Sequence, residues 1–198
     1  MSAPLRLVLV GQSAFGAETY RALRADSHTV VAVYGVDDAG GKPDALVAAA
    51  AADGVPVTRV GSWRRPRAEG GGPEPSLLAA FGGCGGAGGV PDLAVLAFCT
   101  QFVPMEFLRV PRHGALIYHP SLLPAHRGAS AINWTLMNGD ARSGFTIFWA
   151  DEGLDTGAIC VQRECDVLPD DTVSSLYKRV LFPEGVKARA SACGRGAS

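Results

Sequence analysis

Short apolar runs alternate with helix-forming stretches along the first 60 residues. Residues 5–10 form an apolar run, broken only at Arg6, that ends at Gly11, the pattern of a parallel strand buried on both faces. Residues 17–24 are rich in helix formers, with Ser13 as a candidate N-cap. Residues 29–36 repeat the strand pattern. Residues 43–52 predict an alanine-rich helix closed by Asp53-Gly54, and residues 55–57 a short third strand. Strand, helix, strand, helix, strand in this order predicts an α/β fold. Its core is an open, mostly parallel twisted sheet flanked by helices, Rossmann-like, with right-handed crossovers.

The pattern breaks over residues 61–91. Ten of those 31 residues are glycine, with Pro66, Pro73 and Pro75 among them, so a mobile surface insertion is expected, with a short helix at residues 77–81. The stretch 67–89 is expected to be dispensable for binding. Its glycines do not sit between a strand and a helix in the manner of a phosphate loop. Strands resume at residues 93–98 and 115–118, then 145–149 and 159–167. Helices are predicted over residues 130–137, closed by Asn138-Gly139, and 173–181, capped from Asp171-Thr172. Trp134 and Trp149 are expected in the core. Residues 187–198 lose all apolar periodicity and predict a disordered tail, which leaves residues 1–186 as one domain.

The 198 residues, 47% hydrophobic and 19% charged, suit one domain with a substantial core. A net charge of -1 gives no basic face for nucleic acid. No apolar run approaches the roughly 20 residues of a membrane helix, and no secretory signal is apparent. Five cysteines without CxxC spacing read as reduced thiols in a cytoplasmic protein.

In such sheets ligands bind beyond the carboxyl ends of the strands. Gly11-Gln12, Gln101-Phe102 and His119 all fall at ends of that kind. His119 can carry a proton near neutral pH. Asp155 lies on a loop flanked by Gly153 and Gly157, able to return to the same edge and orient a histidine or hold a water. Two plainer readings stand beside these: His119 as a hydrogen-bonded structural residue, and Asp151, Glu152 and Asp155 as a solvated turn. His113, His119 and His126 match no metal-ligand spacing, so no metal is expected. Gly11 to Gly16 lacks the dinucleotide fingerprint. Cys99 neighbours the proposed pocket within an apolar strand end and reads as a buried, inert thiol.

His119-Pro120-Ser121-Leu122-Leu123-Pro124 with Arg127-Gly128, and Asp151-Glu152-Gly153-Leu154-Asp155-Thr156-Gly157 lying 36 residues further on from His119 to Asp155, resemble the two signatures of the folate-dependent formyltransferase family. Gln101-Phe102-Val103-Pro104 and Ala131-Ile132-Asn133-Trp134 are most similar to the hydrolase modules of 10-formyltetrahydrofolate dehydrogenases within it. The resemblance implies the formyltransferase fold and hydrolysis of 10-formyltetrahydrofolate to formate and tetrahydrofolate. It makes His119 the proton donor and Asp155 the essential carboxylate, and sets Gln101, Phe102, Val103 and Asp155 against the substrate. Transferases of the family carry asparagine two positions before the histidine; here that position is Ile117, which argues against transfer to an amine acceptor. Ala125 stands where a basic residue is usual.

The resemblance also implies that NADP, phosphopantetheine and any homo-oligomer contacts belong to family domains absent from this chain. The chain then reads as a fragment, a truncated isoform or a mispredicted product. Two rival functions remain: a formyltransferase of the methionyl-tRNA type, and an inactive folate-binding fragment.

Overall fold

The computed structural model of the chain describes residues 4–36, 42–85 and 89–195. Among them, seven strands form one sheet: β1 (Arg6–Gly11), β2 (Thr29–Gly35), β3 (Val57–Arg59), β4 (Leu93–Ala97), β5 (Ala115–His119), β6 (Arg142–Trp149) and β7 (Ile159–Asp166). Their order is β3-β2-β1-β4-β5-β6-β7. The first five pair in parallel, and β6 and β7 close the sheet as an antiparallel hairpin on β5. The expected open, mostly parallel α/β sheet is therefore the observed one.

The unbroken apolar runs follow from two-sided burial. Side chains alternate across a strand. On β1, Leu7 and Leu9 enter one core cluster while Val8 and Val10 enter the other. The first cluster is covered by α1 (Ser13–Ala25), α2 (Ala45–Ala52) and a final helix, Phe182–Arg195. The second is covered by Trp63, α3 (Pro75–Gly83) and α4 (Met105–Leu108). Beyond β5, α5 (Ala131–Met137) precedes the hairpin, and α6 (Val173–Leu176) runs through a π-helical turn, Tyr177–Leu181, into the final helix, α7.

Several expectations are corrected. The tail expected to be disordered from residue 187 is helical to Arg195, with Ala188, Arg189, Ala192 and Cys193 buried. Small residues let this helix lie close on the sheet, a contact that a search for large apolar residues does not register. Residues 196–198 lie outside the described residues. The 61–91 segment is not simply a surface excursion. Trp63 and Phe81 stack edge-on to Phe107 in the second core cluster, with ring centroids 4.9 Å and 5.7 Å away. Phe81 is fully buried, so α3 is a core element. The third strand forms over Val57–Arg59, one step beyond Pro56, which has no N–H for a ladder. Ser13, at φ 67°, caps the start of α1 as expected: its Oγ accepts the Phe15 N–H at 3.3 Å, while its own backbone N–H donates to Asp44 Oδ2 at 2.6 Å. Trp134 is half exposed, while Trp149 packs against the core.

Candidate active site

β5 delivers His119 to the carboxyl edge of the sheet, where its side chain is 8% exposed. A cavity of about 510 Å³ opens there, within the range typical of small-molecule sites. It is lined by the 96–105 segment after β4, by Ile117 and His119 of β5, by residues 128–131 and by the loop carrying Asp151 and Asp155. Gln12 reaches Thr100, whose hydroxyl donates to Gln12 Oε1 at 3.0 Å, but Gln12 is not among the lining residues.

Asp155 returns to the histidine as its Gly-flanked loop allows. Its Oδ2 lies 3.4 Å from His119 Nδ1 and accepts the Gly128 N–H at 2.7 Å. The path is tight. A Cβ at Gly157 would stand 1.7 Å from the Trp149 carbonyl oxygen, and one at Gly153 would stand 2.0 Å from Thr156 Oγ1. Asp151 lies on an exposed turn, as one reading expected, yet its carboxylate is engaged. It accepts the Thr156 hydroxyl at 2.7 Å and the Gly153 N–H at 3.0 Å, and so shapes the loop that presents Asp155.

The other ring nitrogen, His119 Nε2, lies 2.8 Å from the backbone oxygen of His126. A carbonyl only accepts, so Nε2 carries hydrogen and Nδ1 is the edge turned toward Asp155. The contact between Nδ1 and Oδ2 accommodates a single proton carried by either partner. This arrangement can accept a proton from a water and return one to a leaving group.

All four residues expected against substrate line the cavity; beside Asp155, the three of the 101–103 stretch differ in state. Phe102 is 72% exposed, and Val103 is buried. Gln101 is already engaged: its Oε1 accepts the Trp63 indole N–H at 2.9 Å and its Nε2 donates to the Val60 carbonyl at 2.9 Å. Trp63 was not singled out in the sequence, because it lies in a glycine-rich stretch without periodicity. Burial pushes the Cys99 thiol pKa up, and the thiol donates to the Gln101 carbonyl at 3.3 Å, as suits an inert group. Among the described residues no cluster of three or more metal-ligating side chains occurs.

The loop from residue 120 to 128 is clamped from behind. Thr146 of β6 is fully buried; its Oγ1 donates to the Ser121 carbonyl at 2.7 Å and accepts from the Leu123 N–H at 3.1 Å. Gln162 of β7 donates to the Leu123 carbonyl at 3.0 Å and to Thr146 Oγ1 at 2.8 Å. Nothing in the sequence flagged either residue, since both sit on ordinary strands.

A histidine and a carboxylate meet over a ligand-sized cavity at the carboxyl edge of an open α/β sheet, an arrangement suited to acid–base chemistry on a small molecule. Residues 5–189 match the formyl transferase family, and the chain belongs to that family. It is 53% identical over 188 residues to the cytosolic 10-formyltetrahydrofolate dehydrogenase of Mus musculus, covering 95% of this chain and 20% of that protein. It is 52% identical to the mitochondrial 10-formyltetrahydrofolate dehydrogenase of Homo sapiens, with 95% and 19% covered. The chain thus spans about a fifth of the length of the curated relatives it matches. Among solved structures, a phosphoribosylglycinamide formyltransferase from Brucella melitensis superposes with a TM-score of 0.76 at 25% identity, covering 99% of this chain and 97% of that one. A formyltetrahydrofolate deformylase from Pseudomonas syringae pv. tomato shares the fold at a TM-score of 0.73 and 20% identity, with 98% and 60% covered. No described helix is long and apolar enough to cross a membrane.

Proposed function

We propose that this chain hydrolyses 10-formyltetrahydrofolate to formate and tetrahydrofolate, with His119 and Asp155 as its catalytic pair. The observation that carries the reading is their convergence, Nδ1 to Oδ2 at 3.4 Å, on a cavity that Ile117 also lines. Asp155 takes a proton from water as its oxygen attacks the formyl carbon. His119, through Nδ1, stabilises charge on the developing oxyanion and supplies the proton that N10 needs as its bond to carbon breaks. Formate and the N10–H of tetrahydrofolate result. Gln101, Phe102 and Val103 form the wall against the folate rings, with Phe102 and Leu154 exposed at the opening.

Ile117 supports hydrolysis over transfer. Residues two apart on a strand share a face, so Ile117 stands beside His119 and puts a hydrocarbon where a transferase would offer an amide donor. The 53% identity to a 10-formyltetrahydrofolate dehydrogenase points the same way. The cytoplasm is the compartment proposed. Purified chain mixed with 10-formyltetrahydrofolate should release formate and tetrahydrofolate without any amine. Turnover only when an amine acceptor is added would establish a transferase; tight folate binding with no turnover would establish a binding fragment.

A further inference from the structure

We propose that His126 and Asp140 form a positioning pair for His119, acting through the backbone rather than by touching substrate. His119 Nε2 is fixed by one group, the carbonyl oxygen of His126 at 2.8 Å. Where that carbonyl points therefore sets the tautomer of His119 and the direction of its Nδ1. His126 itself has φ 53°, a left-handed conformation. That conformation is unfavourable for a non-glycine residue, so it persists only where surrounding contacts hold it.

The side chain of His126 supplies such a contact. Its Nε2 lies 2.5 Å from Asp140 Oδ2, and its side chain is 14% exposed. Asp140 stands three residues beyond the end of α5, its N–H donating to the Thr135 carbonyl at 3.1 Å, so the anchor is tied to a helix end. The preceding peptide is held as well: the Ala125 carbonyl accepts the Ser121 hydroxyl at 2.7 Å. His126 and Asp140 do not line the cavity, whereas His119 does. The pair thus transmits the position of α5 to the catalytic ring through one peptide unit.

The kinetic arm of the test rests on the hydrolase reading above; the spectroscopic arm does not. In the 15N-labelled wild-type chain, His119 should show a hydrogen-bearing Nε2. His126→Ala and Asp140→Ala should shift the His119 ring-nitrogen resonances toward mixed tautomers. A displaced catalytic group costs up to about 100-fold, so kcat should fall about 10- to 100-fold. KM should stay within about twofold, since ground-state binding is untouched. His126→Gln should recover much of kcat, because its amide can still donate to Asp140. A wild-type His119 protonated on Nδ1 alone would overturn the proposal. So would ring-nitrogen signals that do not move in either alanine variant, or a His126→Gln chain that folds yet performs no better than His126→Ala. A wild-type chain with no hydrolase activity would instead refute the preceding reading and leave the ring-nitrogen signals to decide this one.

Discussion

Arg189 offers the sharpest test of the packing described above. It lies on α7 with no exposed surface, in the cluster of small residues that seats the helix on the sheet. Its Nη2 donates to the Leu96 carbonyl and, at 3.4 Å, to the Leu116 carbonyl. Among the described residues its Nε and Nη1 have no hydrogen-bond partner, and the Tyr118 ring lies 5.9 Å from its central carbon. Loss of hydration pulls its pKa down to about 10, well below the usual range, yet leaves it charged at neutral pH. A depression of that size corresponds to roughly 3 kcal/mol of destabilisation of the folded charge. Against it stand two hydrogen bonds to neutral carbonyls and a ring contact worth about 1 kcal/mol.

Arg189→Met keeps much of the volume and removes the charge. We expect a gain of about 1–3 kcal/mol, seen as a rise in Tm of roughly 2–4 °C per kcal/mol. The pH dependence has a definite sign. The folded chain binds this proton less tightly than the unfolded chain, so the penalty is complete at neutral pH and fades only above about pH 10. The advantage of the variant should therefore be constant between pH 6 and pH 8. Arg189→Lys, which still buries a charge, should not share it. Calorimetric unfolding of the three chains decides the matter. An unchanged or lower Tm for Arg189→Met would mean that the guanidinium is satisfied where it sits and that α7 depends on it.

Further expectations concern the site and its supports. Asp155→Asn, which tolerates the left-handed backbone at φ 52°, should fold as the parent does and lose about 10²–10⁴ in rate, by formate release. His119→Ala should lose comparable activity and the exposed His113→Ala almost none, while a chelator leaves turnover unchanged; inactivation by chelator would favour a metal centre. Phe81→Ala should cost about 3–5 kcal/mol in denaturant unfolding, whereas replacing the exposed 67–70 turn with a shorter link should cost little. Thr146→Val strands two backbone groups of the 120–128 loop and should destabilise by about 1–3 kcal/mol, with a fall in kcat as well.

What could be read in advance depended on how each feature is encoded. The sheet was legible because two-sided burial writes itself as continuous apolar runs, and the β1, β2, β4 and β5 segments carry them. His119 and Asp155 were singled out through peptides that core packing does not explain, and the structure brings the two side chains together. Trp63 and Phe81 were lost because glycine and proline around them mask any period, although two large aromatic residues in such a stretch are themselves a signal of anchoring. The α7 helix was lost for another reason. Beyond Phe182 and Val186, its contact surface from residue 187 onward is alanine, cysteine and a buried arginine, which no hydrophobic template selects. Asp140, Thr146 and Gln162 hold the 120–128 loop by side-chain hydrogen bonds across 14 to 39 residues of chain, and pairings of that range leave no local trace.

The distribution of backbone strain ties the site to the sheet. Six described non-glycine residues have positive φ, and four of them, Phe98, His126, Ser130 and Asp155, lie on the cavity or on the loop behind it. Each costs about 1–2 kcal/mol, a combined burden comparable with a sizeable part of the net stability of a domain. It can be borne only because the neighbouring strands are fully buried and paired. Strain of this kind persists where structure over-determines it, and it is concentrated where chemistry needs an unusual direction. At Asp155 that direction turns Oδ2 toward His119; at His126 it turns a carbonyl toward the opposite nitrogen of the same ring. The two left-handed residues thus grip one imidazole from both sides. Relaxing either one would release the ring from a single orientation before it unfolded anything, so defects at these positions should appear first in rate and only later in Tm.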